Sequence, residues 1–441
     1  MRYLPFVLLI GLPTLAAAQA PAPSPAASLT LEEAIAQGIA NSQRLAELAA
    51  RSDAADFAIA GRQAADMPAI SVHGGYARTN HVQEFSIALP GRLPQVVYPD
   101  IPDNYRARID LAWPIYTGGR SDALERAAGA ERSAITGDVD AARADLRLEI
   151  TRAYWAAVTA GETETVVRRS VEAVEAHTKD VRARLEAGLV PPNEVASAEA
   201  QASHQRLLAI EAGARRGIAE ADLARLTGRD AVAVTAPPPG GERTGETPAT
   251  TVPDLVARAM RDRAERAALL QRVAAADARA AAVAAGSRPQ VALSSGYDYA
   301  QPNPRLFPRS RELKPSWDVS VNVSWTLWDG GRRAAEHGEA AASAAALKTR
   351  LTEFDRQVTF EVRARALELE SSRQAVRATD DGIRAAVEAE RVVGERFKAG
   401  VLTSTEVLDA LVARLQAELD RARAVAAVRL AEARLERALG R

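Results

Sequence analysis

The sequence predicts a mixed, mostly α fold in which long antiparallel coiled-coil helices are joined to a few amphipathic β-strands. Three observations carry this expectation. Of 441 residues, 96 are alanine, only 5% are aromatic and 26% are charged, a recipe for long helices more than for a globular enzyme core. The chain repeats itself in tandem. Between the helices lie segments of strict apolar and polar alternation.

The first element in chain order is an export signal. Arg2 supplies a positive start, Phe6 to Leu15 an apolar stretch, and Ala18-Gln19-Ala20 a small-residue cleavage site, so residues 1–20 read as a signal peptide. No later segment offers an apolar run long enough for a membrane-spanning helix. The 56 basic and 57 acidic side chains leave no basic excess, which argues against nucleic acid as a partner. The lack of cysteine excludes disulfides, thiolate metal sites, cysteine nucleophiles and lipid attachment through cysteine.

The repeat follows. Trp113-Pro-Ile-Tyr-Thr-Gly-Gly-Arg120 is echoed by Trp325-Thr-Leu-Trp-Asp-Gly-Gly-Arg332, and Ala187-Gly-Leu by Ala399-Gly-Val, both at an offset of 212 (325 − 113 and 399 − 187). Upstream, Pro68 pairs with Pro289 and Leu31 with Val252, at 221 (289 − 68 and 252 − 31). The nine-residue difference falls between Pro68 and Trp113. The expected organisation is a first repeat over 21–228, a Pro/Gly-rich linker over 229–250 and a second repeat over 251–441.

Each repeat reads helix, strand, loop, strand, long helix, turn, shorter helix. The first helices are expected over 31–64 and 253–286, each unbroken. Asp122 to Leu185 contains no proline. Within it Val167, Val171, Val174, Thr178, Val181 and Leu185 repeat at alternating spacings of four and three, a coiled-coil seam. Ile383, Val387, Glu390, Gly394 and Phe397 carry a weaker copy. The lengths tile: two shorter helices, end to end, match one long one.

Strands are expected at about 69–77, 105–116, 290–298 and 316–328. In the second, Tyr105, Ala107, Ile109, Leu111 and Trp113 face one way and Arg106, Arg108 and Asp110 the other. In the fourth, Trp317, Val319, Val321, Val323 and Trp325 oppose Asp318, Ser320, Asn322 and Ser324. Such two-faced strands with aromatic ends suit an outer-membrane barrel. Four strands cannot close one, and open edges are not tolerated in lipid. Copies of the chain must share the barrel, eight strands for a dimer or twelve for a trimer. The connections 78–104 and 298–315 would then face outside.

These residues together resemble the TolC family of outer-membrane channels, over nearly all of the chain beyond its signal. The resemblance rests on Leu31-Glu-Glu-Ala-Ile-Ala, the two Trp-x-x-x-x-Gly-Gly-Arg strand ends, the two Ala-Gly turns, and most specifically Gly400-Val-Leu-Thr-Ser-Thr-Glu-Val-Leu-Asp-Ala410. It implies a homotrimer, with a twelve-stranded transmembrane β-barrel in outer-membrane lipid and an α-barrel tunnel across the periplasm. It further implies efflux or type I secretion, passing small molecules or proteins from an inner-membrane transporter through a periplasmic adaptor to the exterior.

The resemblance also nominates two tip turns, about 187–193 and 399–404. Glu406 and Asp409 match the acidic rings that constrict the family's periplasmic entrance; three apart on one helix, they share a face. Thr403-Ser-Thr-Glu406 also reads as a capping box. Where TolC-like members place a latching arginine, this chain has Leu402, and the aligned first-tip residues are Asn193 and Glu194. A closed entrance is therefore expected to rest on packing of Leu402 and Phe397, with Glu194 adding charge. Gly188-Leu189 and Gly400-Val401 would present the adaptor-docking tips.

No enzyme is expected, nor any cofactor or metal site. The five histidines show no zinc-ligand spacing, and Gly240-Gly-Glu-Arg-Thr-Gly245 lacks the lysine of a phosphate loop. The rival reading is a soluble periplasmic coiled-coil adaptor or scaffold, which would need no two-faced strands.

Overall fold

The computed structural model describes residues 29–88, 90, 91, 93–234 and 251–441. The export signal and most of the linker lie outside these residues. The helices are α1 (Leu31–Ala40), α2 (Gln43–Ala64), α3 (Arg120–Glu186), α4 (Pro192–Thr227), α5 (Val252–Asp262), α6 (Ala264–Ala285), α7 (Arg332–Lys398) and α8 (Ser404–Ala438). The strands are β1 (Ala69–Arg78), β2 (Phe85–Ile87), β3 (Gln95–Tyr98), β4 (Asp103–Tyr116), β5 (Gln290–Gln301) and β6 (Lys314–Ser324). Among the described residues no helix is long and apolar enough to cross a membrane. The chain forms two compact units. The described residues of the first are 29–41, 150–234 and 379–426, and those of the second are 42–88, 90, 91, 93–149, 251–378 and 427–441.

The expected first helix of each repeat is broken in two, a correction to the unbroken 31–64 and 253–286. At Asn41–Ser42 the break is capped: Ser42 Oγ accepts from the Leu45 amide, and Asn41 Nδ2 donates to the Thr227 carbonyl at 2.8 Å. The second break falls at Arg263, where extended backbone ends α5 and opens α6. Nothing local signals it. Arg263 is buried, and its guanidinium donates to Glu361 on α7 at 2.7 Å. Each break meets the glycine that ends the returning helix. Asn41 packs on Gly228 in the first unit, and Asp262 on Gly440 in the second; both glycines have positive φ, at 71° and 92°.

In the first unit α1 lies close against α3 because residue 38 is glycine. A Cβ there would sit 2.3 Å from Ile150 Cδ1. Along α3 the expected seam is the buried one: Val167, Val174, Thr178 and Val181 are all buried. Glu390, the one carboxylate in the weaker seam, is paired with Arg414 of α8 at 2.7 Å.

In the second unit the four long strands form one antiparallel sheet in the order β1-β4-β5-β6. The order leaves β1 and β6 as edges. The short β2–β3 hairpin lies within the expected loop 78–104, too brief for alternation to reveal. The expected strand 316–328 begins at Lys314 and stops at Ser324, because β5 offers no partner beyond Gln290. Trp325 turns away, and its indole donates to the Ser287 carbonyl at 3.0 Å. Trp113 does the same to the Asp66 carbonyl at 3.1 Å, so the repeat preserves the anchor.

The second unit also buries charge. Arg437 of α8 donates to Asp145 of α3 and to Glu265 of α6 while remaining 8% exposed. Desolvation opposes the charged Glu265, yet Arg437 holds its carboxyl below the usual range. Of the 56 basic residues 52 are arginine, whose planar fork suits such multidentate pairs. Arg437→Met should cost about 1–3 kcal/mol, because it strands the half-buried Glu265 carboxylate while Asp145 stays within reach of water. A lowered thermal midpoint of the purified protein checks this, and an unchanged midpoint would count against it.

Candidate functional site

The two tip turns lie in the first unit, and they are built alike. Gly188 and Gly400 both take φ of 71°, the left-handed conformation that glycine adopts at least cost. In each turn two amides close back on the preceding helix: Gly188 to Leu185 and Leu189 to Arg184, then Gly400 to Phe397 and Val401 to Arg396. The next side chains, Leu189 and Val401, are 71% and 70% exposed. Pro191 and Pro192 then start α4, where proline's missing N–H costs nothing.

Behind the turns the two helical hairpins share one apolar cluster. Val174, Val181, Val195, Ala198, Ala202, Phe397, Val407, Leu408 and Leu411 are buried together, with Leu185 and Val190 packed against them. Phe397 thus belongs to this core. Leu402 is half-buried at the turn and lies outside the cluster.

Two polar residues of the site, His177 and Arg184, belong to no motif in the sequence. The His177 ring packs on the Phe397 ring with centroids 5.1 Å apart, and its Nε2 hydrogen-bonds with Ser404 Oγ at 2.8 Å. Both His177 and Ser404 are buried. Arg184 also lies over the Phe397 ring, 4.2 Å from its centre, and donates to the Phe397 carbonyl at 3.1 Å. A cation therefore does join the tips, from α3 of the first hairpin to the end of α7 in the second. The signal was weak: His177 neighbours the seam residue Thr178, but its partners lie more than 200 residues away.

The acidic residues divide. Glu194 of α4 accepts from the Ser404 amide at 3.3 Å, placing a carboxylate at the N-terminus of α8. Glu406 accepts from the Thr403 amide at 2.9 Å and from its hydroxyl at 3.0 Å. That is the backward half of the expected capping box. Asp409 is exposed and makes no ion pair or side-chain hydrogen bond among the described residues. Gly188, Leu189, Gly400 and Val401 line the turns themselves, and a Cβ on either glycine would meet open space.

A family model for outer membrane efflux proteins matches residues 34–229 and 255–441, one match for each repeat. The chain belongs to the outer membrane efflux protein family. It is accordingly an outer-membrane protein with the fold of efflux channels, and the soluble scaffold is set aside. No curated protein matches the chain significantly. Among solved structures it is similar to CusC, with TM-score 0.80 and 14% identity over 94% of this chain and 93% of that one. A membrane protein from Pseudomonas aeruginosa gives 0.78 and 19% over 93% and 90%. The open-state MtrE outer membrane channel of Neisseria gonorrhoeae gives 0.76 and 20% over 93% and 88%. These likenesses concern the fold.

Burial holds the His177 imidazole below its ordinary value near 6.5; Arg184 lowers it further, while Asp180, the Ser404 contact and Glu194 oppose this in part. A depressed value means that the opened tip takes up the proton more readily than the packed one. The contact therefore contributes fully above about pH 6.5 and is lost as the pH falls toward the depressed value. Amide hydrogen exchange at 401–404, corrected for intrinsic rate, should be faster at about pH 5.5 than at about pH 7.5. His177→Gln should flatten that dependence; a wild-type tip insensitive to pH would contradict it.

Proposed function

We propose that this chain is the exit duct of a tripartite efflux pump or a type I secretion system. In this reading three copies close a twelve-stranded barrel in outer-membrane lipid. A periplasmic adaptor docks at the tips around Gly188-Leu189 and Gly400-Val401 and connects the duct to an inner-membrane transporter. The observation that carries the reading is the sheet. Its apolar face is bare, with Trp317 71% and Val321 63% exposed, and its edges β1 and β6 have no strand partner among the described residues. Lipid would cover such a face, but backbone groups at the edges could be satisfied there only by further strands.

The entrance would be set by the tips. Three copies of Glu406 and Asp409 would place six carboxylates around the axis, a ring that favours cations and repels anions. Glu406 is partly engaged in capping, so Asp409 is the freer contributor. Packing of Phe397 against His177 and Arg184, with Glu194 on the α8 N-terminus, would hold the tips together. Leu402 would contribute at the rim of this packing.

Two measurements test the proposal. The protein should run as a heat-modifiable trimer from the outer-membrane fraction; a monomer there would end the barrel reading. In planar-bilayer recordings Asp409→Asn should raise anion permeability relative to cations. Unchanged selectivity would dispose of the acidic ring while leaving the duct intact.

A further inference from the structure

The polar face of the sheet and the loop beside it hold a cluster of six interlinked charges that the proposed gate does not use. On β4, Arg106 and Arg108 both reach Asp298 of β5, which is 2% exposed; Arg106 Nε donates to it at 2.6 Å. Arg108 also donates from Nε to Asp110 on its own strand at 2.6 Å, and its Nη2 lies 3.3 Å from Asp318 on β6. Asp318 in turn pairs with Arg305, from the loop joining β5 and β6, at 2.7 Å. The register places Arg108 opposite Asp298 and Asp110 opposite Gly296, so all these side chains share one face.

The span is made possible by a missing side chain. To reach β6 from β4, the Arg108 guanidinium must cross β5, and it does so directly over Gly296. A Cβ at residue 296 would lie 2.1 Å from Arg108 Nη2. Gly296 is paired with Asp318, so the slot leads straight to the third carboxylate. Arg108 thus contacts three aspartates on two neighbouring strands and its own.

Within the cluster three arginines face three aspartates, and Lys314, which the register places on the same face at the start of β6, is balanced by Glu312 at 3.1 Å. With the apolar face toward lipid, this cluster faces the lumen, in the half of the strands nearer the loops 79–102 and 302–313. We infer that it is a charge-neutral belt with Arg108 as its balancing residue, so that the barrel passes cations and anions alike and leaves charge selection to the tip. The inference rests on the barrel reading above and adds a specificity-determining residue to it. Charged rings select only when their charge is unbalanced. Removing Arg108 would leave each chain with one uncompensated carboxylate at this level, and removing the Asp318 charge would leave one uncompensated guanidinium.

The test is the reversal potential of single channels in a KCl gradient, for Arg108→Met, Asp318→Asn and the double variant. Arg108→Met should raise the cation-to-anion permeability ratio severalfold, and Asp318→Asn should lower it. The double variant, again neutral, should return to the wild-type ratio although its ion pairs are gone. A purely structural role would not produce shifts of opposite sign that cancel. Folded channels whose ratio is unmoved by either single variant overturn the belt and leave the barrel standing. Wild-type protein that forms no channel and no trimer overturns the barrel reading and the belt with it. Where Arg108→Met fails to assemble, Asp318→Asn decides alone: a shift toward anions supports the belt, and no shift overturns it.

Discussion

In hydrocarbon every backbone N–H and C=O must find a partner, because no water is present to supply one. A chain that gives only four long strands to a membrane sheet meets this condition inside the sheet and violates it at the two edges. Much of the remaining structure follows from that shortage. The apolar face that looks wasteful in a single copy suits lipid. The opposite face carries aspartates and arginines in combinations that cancel. Outside the sheet most of the described residues are helical, and helices satisfy their own backbones whatever surrounds them.

The tandem repeat simplifies the problem of joining such helices. One arrangement of break, strand anchor and glycine stop is used twice, with different side chains performing the same task. Asn41 and Asp262 both pack on a left-handed glycine that ends the returning helix. Trp113 and Trp325 both tie a strand end to the turn that follows an α-helix. At the tips the two turns share a backbone conformation but not their side-chain packing. There Phe397 sits in the shared apolar cluster and is gripped by His177 and Arg184, both from the first copy.

Periodicity and the repeat made most of the architecture legible, because both are local or self-referential signals. The seam at Val167, Val174 and Val181, the two glycine turns and the two faces of the strands are all readable without a partner in view. The Asn41-Ser42 break could have been read from its capping residues. The Arg263 break could not, since it depends on Glu361, 98 residues away. The β2–β3 hairpin offers too few residues for a period. At the tip, Glu194, Phe397 and Glu406 stood out by position. His177 and Arg184 did not, because their meaning comes from the other hairpin. Leu402 is half-buried at the turn, outside the cluster that holds Phe397.

The preference for arginine has a consequence for how this molecule senses protons. Guanidinium groups remain charged at any physiological pH, so the pairs that hold the helices and sheet together are mute on their cationic side. Four of the five histidines, at positions 73, 81, 204 and 337, are exposed. His177 alone is buried. The one buried imidazole therefore sits where the two hairpins meet, and its titration bears directly on their packing.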